Sequence, residues 1–121
     1  MSDLPKILVH DNSKGFLNML KYKYRNRFEI EFLNIEHLDE YNFDDYDYVF
    51  FIVNRESDIK NFIYIYYKSV TIFLGVTNIN QEDYFTSKYD VIPINLFLPK
   101  KELFKYIDYK LKMITIQMTN S

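Results

Sequence analysis

The order of apolar runs and helical stripes predicts an α/β domain built on one doubly wound, five-stranded parallel sheet. Three observations carry this. Tyr48–Val53 and residues 70–76 are apolar almost without interruption, as central parallel strands covered on both faces must be. Ile59, Phe62, Ile63, Tyr66 and Tyr67 fall at i, i+3, i+4, i+7 and i+8, the clearest helical face in the chain. Phe28, Ile30 and Phe32 alternate with Glu29 and Glu31, the pattern of a half-covered strand at a sheet edge.

Taken in order, Lys6–His10 is a short apolar strand that runs into Asp11-Asn12-Ser13. Phe16, Leu17, Leu20 and Tyr24 then recur at helical spacing. Ser13, or Asn12 before it, is expected to accept the free amide hydrogens of that helix start. Lys21, Lys23, Arg25 and Arg27 crowd its far end, where cations complement the dipole. The edge strand 28–32 follows. Residues 35–46 are acidic and weakly periodic, and read as one short helix and a loop. The third strand, Tyr48–Val53, leads to the helical stripe at 59–67, and 70–76 is the fourth strand. Residues 81–88 read as a short helix, 91–94 as the fifth strand, and Leu103, Ile107, Leu111 and Ile114 as the stripe of a closing helix. The tail 115–121 is expected to fray or to meet a partner.

Right-handed crossovers between these strands give a sheet of order 2-1-3-4-5, the flavodoxin-like (βα)5 arrangement. Pro93 agrees, because proline cannot donate to a ladder and the fifth strand is an edge in that order. No repeat, low-complexity tract or linker divides the 121 residues, and at 48% hydrophobic content they suffice for one core, so a single domain over 1–121 is expected. The longest unbroken apolar run, 49–53, is far too short for a membrane helix, and residues 1–5 carry no basic-then-apolar signal segment. The expected compartment is the cytoplasm, with no membrane partner. The absence of cysteine excludes disulfides, thiolate metal sites and cysteine nucleophiles. His10 and His37, the two histidines, stand at no metal-ligand spacing.

Val9-His10-Asp11-Asn12-Ser13 after the first strand, and Asp47 through Asn54 along the third, carry a resemblance that extends from Lys6 to about Met113. The chain resembles a response-regulator receiver domain. The family implies an acidic pair after the first strand that holds magnesium, a phosphorylated aspartate ending the third, a threonine or serine ending the fourth, and a lysine after the fifth. By that resemblance Asp11 matches the second acid and His10 replaces the first. The acceptor position falls on Ile52, Asn54 matches a position that is often asparagine, and Gly75 stands where the hydroxyl residue is expected. The lysine position falls on Leu98 when Pro99 sets the alignment and on Leu96 when Glu102-Leu103 sets it. The resemblance therefore implies a degenerate, or pseudo-, receiver.

Elementary chemistry leads the same way. A phosphorylatable carboxylate needs a hard cation held by oxygen ligands, and Asp11 alone is a poor magnesium site. Asp45 and Asp47 precede the third strand and so sit at the wrong end of the sheet. An isoleucine has no nucleophile, and burying it is worth about 1.5–3 kcal/mol, so the position is expected to be core. Asp11 is expected to cap a helix or face solvent, His10 to be a hydrogen-bonded structural group, and His37 to lie on the surface. Phe62, Tyr64, Tyr66 and Tyr67 are expected to divide between core and exposed hydroxyls that can anchor a partner.

Charge is unevenly placed. Residues 14–27 and 100–112 hold ten of the fifteen Lys and Arg with only two acids, Glu102 and Asp108, so the first and last helices form a face near +8 and the remainder is near −10. Lys100 and Lys101 oppose the dipole at a helix N-terminus, a placement that suits an external anion or partner. The leading expectation is a non-enzymatic, phosphorylation-independent protein-protein interaction module, without cofactor or metal. Its partner is a protein, an acidic one or a second copy, through the basic helices or through helix 81–88 and the fifth strand. The alternative is a small anion- or nucleotide-binding domain using Asn12 to Gly15 with Lys100 and Lys101. Nucleic-acid binding ranks third, because the sequence pI of 5.6 counts against it.

Overall fold

Side chains on a parallel strand alternate between faces, so a sheet covered twice divides them between two cores. The computed structural model describes residues 4–77 and 81–120, with side chains through residue 114. Strands β1 (Lys6–His10), β2 (Glu29–Phe32), β3 (Tyr48–Val53), β4 (Thr71–Val76) and β5 (Ile92–Ile94) form one all-parallel sheet of order β2-β1-β3-β4-β5. The helices are α1 (Gly15–Lys23), α2 (Ser57–Tyr66), α3 (Glu82–Lys88) and α4 (Lys100–Asn120). This is the flavodoxin-like α/β architecture that the sequence predicts.

One core joins Ile7, Val9, Phe50, Ile52 and Phe73 of the sheet to Phe16, Leu17 and Leu20 of α1 and Leu103, Phe104 and Ile107 of α4. The other joins Leu8, Val49, Phe51, Val53 and Leu74 to Phe62 and Ile65 of α2 and Phe85 of α3. Neighbouring strands lock in register through Phe50 and Phe73, whose rings stack 4.4 Å apart and 6° from parallel. At the edge, Glu29 and Glu31 are exposed, and Ile30 is the β2 residue packed on the α1–α4 core, so less of this strand is covered than its alternation suggests.

The crossover from β2 to β3 departs from expectation. Residues 35–46 form two 3₁₀ turns, Ile35–Glu40 and Phe43–Asp45, instead of one short helix and a loop. Asn34 and Asn42 each accept an amide hydrogen two residues on, from Glu36 and Asp44. Such local bonds compete with helix propagation. Phe43 is the one buried residue in the turns, so no apolar stripe draws them into an α-helix. Tyr46 donates to Glu31 at 2.8 Å, and burial with that carboxylate pushes its hydroxyl up to about 12.

At the far end, the backbone of 115–120, expected to fray or meet a partner, continues α4; Ser121 lies outside the described residues. Among the described residues no helix is long and apolar enough to cross a membrane. The fully buried Tyr24 closes α1 and ties it to α4 by donating to Asp108 at 2.6 Å, with the Arg27 guanidinium 3.7 Å from the same oxygen. Burial and the Asp108 carboxylate raise the Tyr24 hydroxyl far above the usual tyrosine range. Tyr24→Phe is expected to lower the unfolding free energy by about 1.5–3 kcal/mol in urea titration, the value of a hydrogen bond to a charged group.

Candidate functional site

In a sheet wound this way, the crevice that can bind ligands lies beyond the C-terminal ends of the strands. His10, Asp11, Ile52, Asn54 and Gly75 all fall at that rim, as the spacing predicts. Strand alternation separates them. Ile52 points into the α1–α4 core, whereas His10, opposite Phe51 in the β1–β3 register, lies against the Phe51 ring with centroids 4.5 Å apart and planes tilted by 35°, and belongs to the α2 side.

On the first side the rim is hydrocarbon. Ile52 is buried and pairs across the ladder with Gly75. A methyl group placed on Gly75 would sit 2.9 Å from Ile52 Cδ1 and 3.1 Å from Leu96 Cγ and Cδ1. The space that a side chain on the fourth strand would need is therefore filled by Ile52 and Leu96. Of the two leucines that the sequence offers, Leu96 takes this place. Leu98 lines a separate hollow of about 190 Å³ with Pro93, Asn95 and Tyr106.

Asp11, 1% exposed, is wholly engaged by α1. One oxygen accepts from the backbone N–H of Phe16 at 2.7 Å and of Leu17 at 3.2 Å, and the other accepts from the Ser13 hydroxyl at 3.0 Å. Ser13 Oγ accepts from the first amide of α1, that of Gly15, at 3.4 Å, as the sequence predicts, while Asp11 takes the next two at shorter distance and its negative charge complements the dipole. Lys14, at the formal cap position, has a left-handed φ of 63°. An external anion at Asn12 to Gly15 would have to displace this carboxylate.

On the second side a polar nest gathers around Asp58, which sequence reasoning missed. Asp58 is fully buried in the first turn of α2. Its carboxylate accepts from the N–H groups of Asn54 at 2.9 Å and Arg55 at 3.0 Å, from Asn12 Nδ2 at 3.2 Å, and from His10 Nε2 at 3.1 Å. An ionised carboxylate only accepts, so Nε2 carries the proton in this bond. Burial raises the Asp58 carboxyl, but the Asn54 and Arg55 amides and His10 outweigh that, and it is held below its ordinary 3.8. His10 Nδ1 and Asn54 Nδ2 are buried without a hydrogen-bond partner among the described residues. His10 is 1% exposed, so a substrate could not reach it as a base. The exposed His37 pairs with Glu40 at 2.7 Å.

This donor set does not fit a hard cation. Magnesium demands oxygens free to point at it, whereas those of Asp11 face two amide hydrogens and the Ser13 hydroxyl and those of Asp58 face four donors. Lys100 and Lys101 stand elsewhere, beside a groove of about 550 Å³ between α1 and α4, with Tyr22, Lys23, Phe104 and Lys105 along its walls. Of the four tyrosine-helix aromatics, Phe62 is core and Tyr66 accepts the Asp90 N–H, while Tyr64 and Tyr67 are exposed.

Comparison with family models, curated proteins and solved structures finds no match for this chain.

Gly75→Ala is expected to destabilise the fold by about 1 kcal/mol or more through overpacking. Ile52→Val, which removes the methyl that the new group meets, should recover at least about 0.5 kcal/mol of this in the double variant; additive losses in urea titration would contradict the packing described. Asp58→Asn should cost about 2–4 kcal/mol, since it leaves buried donors unpaired. The native carboxyl lies below its unfolded value. Its contribution is therefore complete above pH 3.8 and disappears as the pH falls through the native value. Stability of the Asn variant should vary less over that acid range.

Proposed function

We propose that the chain is a receiver-like binding module that transfers no phosphoryl group and acts by contact with another protein. One observation carries this reading above the rest: the rim position where a receiver would present its acceptor aspartate is Ile52, packed against Gly75 and Leu96. The neighbouring carboxylates support it, since Asp11 is spent on the start of α1 and Asp58 on the loop after β3. A rim made of hydrocarbon and of carboxylates already engaged by hydrogen bonds supports neither phosphoryl acceptance nor cation binding, so what remains for function is surface.

The surface is well supplied with groups that bind proteins. Tyr22, Tyr67, Phe97 and Tyr109 are each more than half exposed, and aromatic side chains present large contact area at low entropic cost. The basic α1–α4 face and the acidic crossover give it polarity. Such a module works in one covalent state, its occupancy set by partner concentration alone.

Incubation with magnesium and a small acyl phosphate should leave the intact mass unchanged. A gain of one phosphoryl group on any aspartate would refute the reading.

A further inference from the structure

We infer that the protein associates with a second copy of itself head to tail, the basic α1–α4 face of one chain against the acidic crossover of the next. The inference rests on the reading of the chain as a binding module and names its partner. The decisive feature is segregation of charge by sheet face. The α1–α4 face carries the ten bases and two acids of residues 14–27 and 100–112. Residues 28–58 carry ten acids against one base, Arg55. Phe43 and Leu33 of this acidic stretch pack into the α2–α3 core, so the 3₁₀ turns lie on the opposite face of the sheet from the basic helices.

Asp58 is buried and Glu29, Glu31 and Glu40 already have partners, but each surface keeps exposed charges that no ion pair occupies. Lys23, Lys100, Lys101 and Lys105 make no ion pair among the described residues, and the same holds for the exposed Glu36, Asp39, Asp44 and Asp45. The groove beside Lys100 and Lys101 gives the cations a shared concavity, with Phe104 at its wall. Lys100 and Lys101 also repel the positive end of α4, an arrangement that works against the fold and that a partner's carboxylates offset.

A two-fold symmetric dimer made through the α1–α4 face alone would set like charge against like. Complementarity is met by the heterologous contact, in which each chain offers a different face to each neighbour. Such contacts close into rings or continue as open chains, according to the rotation between copies. An unrelated acidic protein or a nucleic acid could meet the basic face alone, but would leave the acidic crossover without a role.

The test is sedimentation velocity on the full chain at sub-millimolar concentration, at ionic strengths from about 0.01 M, where charges act over some 30 Å, to about 1 M, where they act over some 3 Å. The weight-average mass should exceed the 14.8 kDa of one chain at low salt and fall to it at high salt. Lys100→Glu with Lys101→Glu, and separately Asp44→Lys with Asp45→Lys, should each weaken association by roughly tenfold or more. An equimolar mixture of the two double variants should restore it, because the intact basic face of one meets the intact acidic crossover of the other. The lysine variant should melt no lower than the native chain, since its new carboxylates complement the dipole, so its loss of association is not a loss of fold.

A single chain at every ionic strength would overturn the inference, as would association indifferent to both pairs or a mixture that fails to restore it. None of these outcomes bears on phosphoryl transfer. Phosphorylation, conversely, would overturn the reading of a module that transfers no phosphoryl group and leave self-association standing.

Discussion

The packing of Ile52 against Gly75 and Leu96 is the constraint on which the molecule's chemistry turns. In a doubly wound sheet ligands bind in the crevice beyond the C-terminal ends of the strands, and here hydrocarbon fills its α1–α4 side. The three residues come from β3, β4 and the segment after β5, so the plug spans half the sheet and belongs to the same core as Phe50, Phe73 and the buried stripe of α4. A polar group introduced there would enter an apolar environment formed by Ile52 and Leu96. This side of the rim is thus part of the core that stabilises the fold.

On the reverse side of the same rim the polar groups are kept apart from it. Asp58 binds together the end of β1, the loop after β3 and the first turn of α2, through His10, Asn12 and two backbone amides. Asp11 does the corresponding work for α1. Two buried carboxylates at the mouth of a parallel sheet suggest a cation site on paper. Their hydrogen bonds show instead that each organises a helix start, one on each face. Charges left without an ion pair among the described residues lie on the outer helices and the acidic crossover, with opposite signs on opposite sides of the sheet.

The strands were legible because parallel strands buried on both faces leave continuous apolar runs, and Tyr48–Val53 admits no other reading. Pro93 and the glutamates of β2 marked the two edges for equally direct reasons. The crossover was not legible, because turns held by Asn34 and Asn42 have no apolar period to detect. Asp58 was hidden for a different reason. In sequence it is one more acid in the first turn of a helix, and its partner His10 stands 48 positions away, joined to it only by the β1–β3 register. Leu96 and Leu98 could not be separated without the path of the chain after β5, which brings the first of them to Gly75.

The most direct test returns a carboxylate to the rim. If Ile52 is structural core beside acids already engaged, Ile52→Asp will lower the unfolding free energy by several kcal/mol, as burial of an unpaired charge does. Magnesium will then leave its melting temperature unchanged. An Ile52→Asp variant that stays as stable as the native chain, and whose melting temperature climbs with added magnesium, would show an open cation-binding rim and contradict the account.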